Sequence, residues 1–485
     1  MKEFFGIDFG TTNSATVGLL QGHTTLFGDD AGQPYPSIIA VNETTGQVVA
    51  KGREAWNGRQ ELSRSCRILT SAKLHIGEKD SERIGPETWS PERVVMEVLK
   101  GLAERVRERG NGALLEKATM AIPVGFPPEK RKALRKAAQG AGIEIEGFIS
   151  EPTAAIVQNY DRVQKWRKVV VFDWGGGTLD ISIVELADDT VHEIGTLSRN
   201  IGGDNLDLSI AEWAHSQILA EAGENGPPFA GMDSRFRDIM IARAEAAKRT
   251  LSDEDETSLN INNYGTFGAR RISLNFAEFT SMMSPFIKEA LDALEECIMT
   301  RAALSPDQID CIIMVGGSSK LRGLRDAIYE RNWPFDPILP EDSDWNVAQG
   351  AAVLAANFGL YTSSQDLGVL LSDETTYPIL QDGDIIDHTP ERMGFHLVEE
   401  TDHARFVFVE GRRASDGSLT DSNRAVGYLS VPTYGFVNEE IEVESFVDRD
   451  FLLQIHARSV RHADSQRKTW TYPELRFSYH LPERP

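Results

Sequence analysis

The chain has 485 residues, 41% of them hydrophobic and 26% charged, proportions of a soluble globular protein, and its length suits roughly two to four domains. A formal net charge of −24 repels nucleic acid and anionic membranes at long range, which excludes both as main partners. Three cysteines without a CxxC pair, no secretion signal and no apolar run of membrane-spanning length point to a cytoplasmic protein, and the ten histidines show no ligand spacing.

The first informative element is a strand pair around a glycine turn. Phe4-Phe5-Gly6-Ile7 leads into Asp8-Phe9-Gly10-Thr11-Thr12-Asn13, and Ser14 to Leu20 continues as a second strand, so the glycine sits at a strand-to-strand turn. Residues 39–90 follow as a less periodic insert. Val94 to Arg109 places apolar residues on one helical face, and Lys130 to Ala141 reads as another helix. The opening device then recurs: Val169 to Phe172 is a buried strand, Asp173-Trp174-Gly175-Gly176-Gly177-Thr178 the turn, and Asp180 to Leu186 alternates as a partner strand.

Two such turns facing across a cleft can offer backbone N–H groups and threonine hydroxyls to one polyphosphate. Asp8 and Asp173 end equivalent strands, so their carboxylates can flank one magnesium ion through its waters. Neither a P-loop nor a Rossmann glycine pattern is present.

Residues 205–285 form a second insert. Glu245, Lys248 and Ser252 fall on one probable helix, where spacing alone favours a solvated Glu–Lys pair over a site. Ile312 to Val315, the turn Gly316-Gly317-Ser318-Ser319-Lys320 and a helix from Leu321 to Arg331 give a third candidate phosphate loop. Up to about residue 360 the pattern is α/β. Residues 366–374, apolar and framed by acids, read as a linker, and residues 375–485 alternate with period two, as in Arg405–Glu410, Ile441–Val447 and Phe451–Ala457. With Asp416-Gly417 as a turn, they predict a small antiparallel β-sandwich with no helical segment after it.

The three glycine segments, Ile7 to Ser14, Phe172 to Ser182 and Val315 to Ser319, together resemble the nucleotide motifs of the seventy-kilodalton heat-shock chaperone family. The resemblance extends to Ala72-Lys73, Ala121 to Phe126, Glu151 to Ala155, Ile201-Gly202-Gly203-Asp204 and Asp344 to Ala352, and so covers residues 1–365. It implies an actin-like, two-lobed ATPase that hydrolyses ATP slowly with magnesium and potassium. It implies that Lys73 helps place the attacking water, that Glu151, Asp173 and Thr178 orient that water and the γ-phosphate, and that Asp8 and Asp173 hold the metal shell. Gly10, Thr11, Thr12, Asn13, Gly175, Gly176, Gly177, Gly202, Gly203, Gly316, Gly317, Ser318 and Asp344 would surround the nucleotide, and Glu245, Lys248, Ser252 and Lys320 would enclose adenosine, which reverses the reading from spacing. Where Lys320 stands the family usually has arginine, and lysine cannot stack a flat head on adenine.

Val369-Leu370-Leu371-Ser372-Asp373 resembles the family's interdomain linker, while Val409-Glu410-Gly411-Arg412-Arg413 and Ile441-Glu442-Val443 resemble strands of its peptide-binding sandwich. The resemblance therefore implies a chaperone in which ATP is coupled to the binding of extended peptide. Several departures bear on that expectation. The Thr375–Phe395 segment is shorter than in the family, the helical lid is missing, and Phe451 replaces a glycine usual at a turn. Gly147 stands where many members place an arginine that receives a J-domain cochaperone, and the short Lys73–Pro91 segment weighs against the usual nucleotide exchange factor. The alternative reading is a nucleotide-gated regulatory or scaffold ATPase that holds one specific folded partner. A sugar kinase or filament former is disfavoured by the linker and sandwich.

Overall fold

A computed structural model describes residues 3–30, 32–187, 189–223, 226–331, 333–357, 359–411, 424–461 and 466–482. Arg412, Arg413 and the Asp416-Gly417 turn lie outside the described residues. The chain divides into two compact units. The first comprises Met1–Phe126, Ala133–Leu186 and Glu193–Asn357, the second Pro127–Lys132, Ala187–His192 and Phe358–Pro485.

The first unit is built twice on one plan. In one sheet the strand Phe4–Phe9 pairs antiparallel with Asn13–Leu20 and parallel with Lys117–Ile122. In the other, Lys168–Trp174 pairs antiparallel with Leu179–Ala187 and parallel with Cys311–Val315. Each glycine loop is thus the turn of the antiparallel pair at the centre of its sheet, with Asp8 opposite Ala15 and Asp173 opposite Asp180. The central strands are nearly continuous apolar runs because both faces are covered, and Ile7, Phe172, Ile312 and Ile313 are fully buried.

The helix expected from Val94 runs from Pro91 to Arg109. It starts earlier because the Ser90 hydroxyl caps it by accepting from the Arg93 N–H, and Pro91 fits the first helical position. The second expected helix spans Pro128–Gly140. The first insert is more ordered than its composition suggests, with a sheet of Val48–Lys51, Ile39–Asn42 and Cys66–Leu69 and a helix Gly52–Leu62. The second carries the helices Gly203–Ala222 and Ser234–Thr250 and the hairpin Glu256–Ile261/Arg270–Asn275, all part of one apolar core with the sheet above them. No helix among the described residues is long and apolar enough to cross a membrane.

The second unit holds two four-stranded antiparallel sheets. One runs Thr376–Leu380, Asp366–Leu370, His403–Gly411, Arg424–Pro432, and the other Glu391–His396, Glu440–Val447, Leu453–Ser459, Lys468–Tyr472. Phe406 and Phe408 from the first sheet share a core with Ile441, Val443 and Ile455 from the second.

Here the linker expectation is corrected. Asp366–Leu370 is a strand paired on both sides, with Leu367 and Val369 buried. Of the acids that seemed to frame a linker, Asp366 opens the strand and accepts the Asp382 N–H, while Asp373 makes a hairpin turn: its carboxylate accepts the Thr375 N–H and hydroxyl, and the Leu371 N–H donates to the Thr375 carbonyl. The unit consequently begins near residue 358, ahead of the expected boundary at 375.

Phe451 also has a physical account. Its φ of 58° is left-handed, costly for a bulky residue, yet the ring packs 4.7 Å from Tyr361 and 5.1 Å from Phe477, and aromatic burial offsets that strain.

Candidate functional site

Both glycine turns of the first unit meet, as the duplicated plan requires. A Cβ placed on Gly176 would lie 2.3 Å from the Thr12 hydroxyl, and one on Gly177 would lie 3.3 Å from the Thr11 methyl. Loop Gly10–Asn13 is pinned by Ser37, whose hydroxyl donates to the Gly10 carbonyl and whose N–H donates to the Thr12 carbonyl. Loop Gly175–Thr178 is closed by the Gly175 N–H on the Thr178 carbonyl. Among the described residues, the backbone N–H groups of Thr11, Thr12, Gly176 and Gly177 donate to no protein acceptor, so two facing loops present donors to whatever lies between them.

The other loops close round this pair. Gly203 and Asp204, opening the helix Gly203–Ala222, donate their N–H groups to the carbonyls of Gly175 and Gly176, while the Thr12 hydroxyl donates to the Asp204 carboxylate at 3.0 Å. That helix start is therefore spent on holding the second loop. The Ser318 hydroxyl donates to the Gly175 carbonyl at 2.9 Å. Gly316 has a φ of 80° and approaches so closely that a Cβ there would be 2.5 Å from Asp173 Oδ1. Lys320 Nζ contacts Asp344 Oδ2 at 2.5 Å beside Gly317, so this lysine is held by a carboxylate. Lys248 Nζ donates to the Gly203 carbonyl at 3.0 Å and to Asp207 at 2.9 Å. Glu245 instead pairs with Arg249 along its own helix, and the Ser252 hydroxyl, just past that helix, donates back to the Lys248 carbonyl.

Beneath the loops lies a charged group. Lys73 and Glu151 are both buried, with Nζ 3.0 Å from Oε1. Lys73 is delivered by the short helix Ala72–His75, which follows Ser71 in a left-handed conformation (φ 58°). Glu151 opens the helix Glu151–Val163, capped by the Ser150 hydroxyl accepting from the Thr153 N–H at 3.3 Å. The Ser150 proton goes to Glu193, which also accepts from the Thr153 hydroxyl, so a carboxylate at the helix start orients the cap.

Burial pushes the Glu151 carboxyl up to about 7 against the pull of Lys73, with Asp8 and Asp180 adding to the rise. Asp173 stands well above the usual carboxylate range because of burial and the charges of Glu151, Asp8 and Asp180; Asp8 is raised by burial against the attraction of Lys73. Burial acts to lower the Lys73 ammonium, but Glu151 and Asp8 outweigh it and hold its pKa up. Four carboxylates thus share one lysine, an excess of negative charge that favours a cation. Among the described residues, no three His, Cys, Asp or Glu side chains are grouped to cage a metal directly. Carboxylates that are near enough to raise one another's pKa but do not cage an ion directly would suit magnesium held through its own waters.

The sequence reading gave no role to Asp180 and Asp204, although both lie in its motifs, and missed Asp207, Ser37 and Glu193. Asp180 was legible in principle: in an antiparallel pair whose turn joins Trp174 to Leu179, it must stand opposite Asp173.

A family model described as Hsp70 protein matches residues 80–406. The chain belongs to the Hsp70 family. The match spans both the second and third glycine loops, whereas Asp8, the first loop and Lys73 precede it and join the site through the geometry above. Membership carries the actin-like ATPase fold and, in general terms, a chaperone-like, ATP-binding character. The duplicated sheets of the first unit agree with that architecture.

Proposed function

We propose that this Hsp70-family chain hydrolyses ATP in the cleft between its two glycine turns and couples that reaction to the binding of extended peptide by its C-terminal β-sandwich. The observation that carries the first half is the buried Lys73–Glu151 pair set among Asp8, Asp173 and Asp180 beneath loops with free N–H groups. Magnesium, held by Asp8 and Asp173 with Asp180 beside them, would neutralise charge on the transferring phosphoryl group. Thr11, Thr12, Gly176 and Gly177 bind the phosphates; Thr178 faces the γ-phosphate; Lys73 positions water and Glu151 takes its proton. Glu245, Lys248, Ser252 and Lys320 take the adenosine, and potassium can serve as a second cation. The protein works in the cytoplasm, and Gly147 and the short Lys73–Pro91 segment weigh against a J-domain partner and the usual exchange factor.

Glu151 makes the reading testable by pH. A base must be ionised, and a carboxyl at about 7 is mostly protonated at pH 6, so turnover should rise between pH 6 and pH 8, with the bound cation drawing the inflection to the acid side of that value. Glu151→Gln should abolish this limb along with most of the rate. A pH-independent parental rate would remove Glu151 as the base.

One observation favours a specific folded partner over extended peptide. In the second unit Tyr434, Phe436 and Val437 are exposed on a loop that is already rigid, because the Glu439 carboxylate accepts from the Tyr434 and Phe436 N–H groups and from the Ser459 hydroxyl. A preformed apolar surface suits a folded ligand. ATP turnover measured with and without a panel of unfolded model peptides decides between them: a several-fold stimulation is expected for a chaperone, and indifference across the panel would leave the partner-binding reading.

A further inference from the structure

A cavity of about 320 Å³ opens from the charged group in the first unit, and the glycine loops do not line it. Its wall includes Glu151, Asp173 and Asp180 at one part and Arg199 and Arg301 at another, with the hydroxyls of Ser182, Thr196 and Ser198 also lining it. These two parts differ in exposure. Glu151 is buried, whereas the Arg199 and Arg301 side chains are 32% and 53% exposed. Arg199 pairs with Glu296, and Arg301 lies 3.8 Å from the same carboxylate, so two guanidinium groups share one negative charge. The cavity thus runs from buried carboxylates to a partly exposed mouth with one cationic charge to spare.

We propose that this cavity is the exit channel for the inorganic phosphate product, with Arg199 and Arg301 drawing the oxyanion to its mouth. The inference rests on reading the cleft as an ATP site. Water attack forms one P–O bond and breaks the bond from the γ-phosphorus to the bridging oxygen; the water proton passes to Glu151, and phosphate is freed on the acid side while ADP still fills the glycine loops. The loop side is then closed to it. The acid side leads into this cavity of about 320 Å³, and the cations that line it are planar guanidinium groups, which match phosphate oxygens with paired N–H donors.

By microscopic reversibility phosphate enters the Mg·ADP complex by the path it leaves. Radiolabelled inorganic phosphate mixed with the Mg·ADP protein should bind and dissociate about tenfold more slowly in the Arg199→Gln/Arg301→Gln variant than in the parental protein, the loss expected when steering charge is removed. Arg199→Lys/Arg301→Lys, which keeps the charge, should restore most of the rate, and ADP affinity should be equal in all three. Unchanged phosphate exchange in the glutamine variant, or parental Mg·ADP protein that exchanges no phosphate, overturns the channel. ADP affinity of the parental protein in the same series reports separately on the nucleotide reading: normal ADP binding with unaltered exchange removes the channel alone, and absent ADP binding removes both.

Discussion

Lys73→Ala should lower ATP turnover by about a hundredfold or more, the usual effect of removing a positioned catalytic group, while leaving ATP affinity nearly unchanged. Both halves follow from where the lysine sits. Its Nζ contacts Glu151 beneath the glycine loops, and it is the cation that acts on Asp8, Glu151 and Asp173 together. Without it, burial and mutual repulsion push those carboxyls further up, and Glu151 holds its proton at neutral pH when it should accept one. The loop contacts among Thr12, Gly175, Asp204 and Ser318 do not involve Lys73, so the nucleotide should still bind. Single-turnover hydrolysis and nucleotide titration separate the two effects, with thermal unfolding as a check that the buried acids do not unfold the variant. Hydrolysis at the parental rate would strip Lys73 of its role, and equal loss of binding would move it into the nucleotide cradle.

The outcome shows which parts of this fold are written locally. The two glycine hairpins were legible because strand alternation and a turn signal are short-range, and the helix at Pro91–Arg109 because six apolar residues repeat on one face. Asp366–Leu370 was misread because its identity depends on partners: a five-residue apolar strand edged by acids looks the same alone as a linker does, and only pairing with Thr376–Leu380 and His403–Gly411 decides it. The same limit applies at the site. Lys73 and Glu151 lie 78 positions apart and Lys248 and Asp207 41, so neither pairing leaves a local pattern, and resemblance alone singled out the first. Glu193 was invisible for a further reason, since its partners Ser150 and Thr153 are ordinary capping residues that need no carboxylate.

Gly202→Ala should weaken ADP and ATP binding by about ten- to a hundredfold, with little loss of fold, because the added methyl strikes backbone. A Cβ on Gly202 would lie 2.2 Å from the Gly176 carbonyl oxygen and 2.7 Å from the Gly177 nitrogen. A flexible side chain could swing aside; a peptide unit whose carbonyl is held by the Asp204 N–H, next to one held by the Gly203 N–H, cannot do so alone. Overpacking of this kind costs about 1–3 kcal/mol, and its relief is to displace the whole loop Gly175–Thr178, at the expense of its bonds to Gly203, Asp204 and Ser318. The displacement would part Gly176 and Gly177 from Thr11 and Thr12, spoiling the facing donors that are proposed to bind phosphate. Calorimetric titration with Mg·ADP should therefore show the loss, while the melting temperature shifts by only a few degrees. Parental affinity in a folded Gly202→Ala protein would mean that the opposed turns do not grip the nucleotide, since no arrangement that keeps both in place has room for that methyl group.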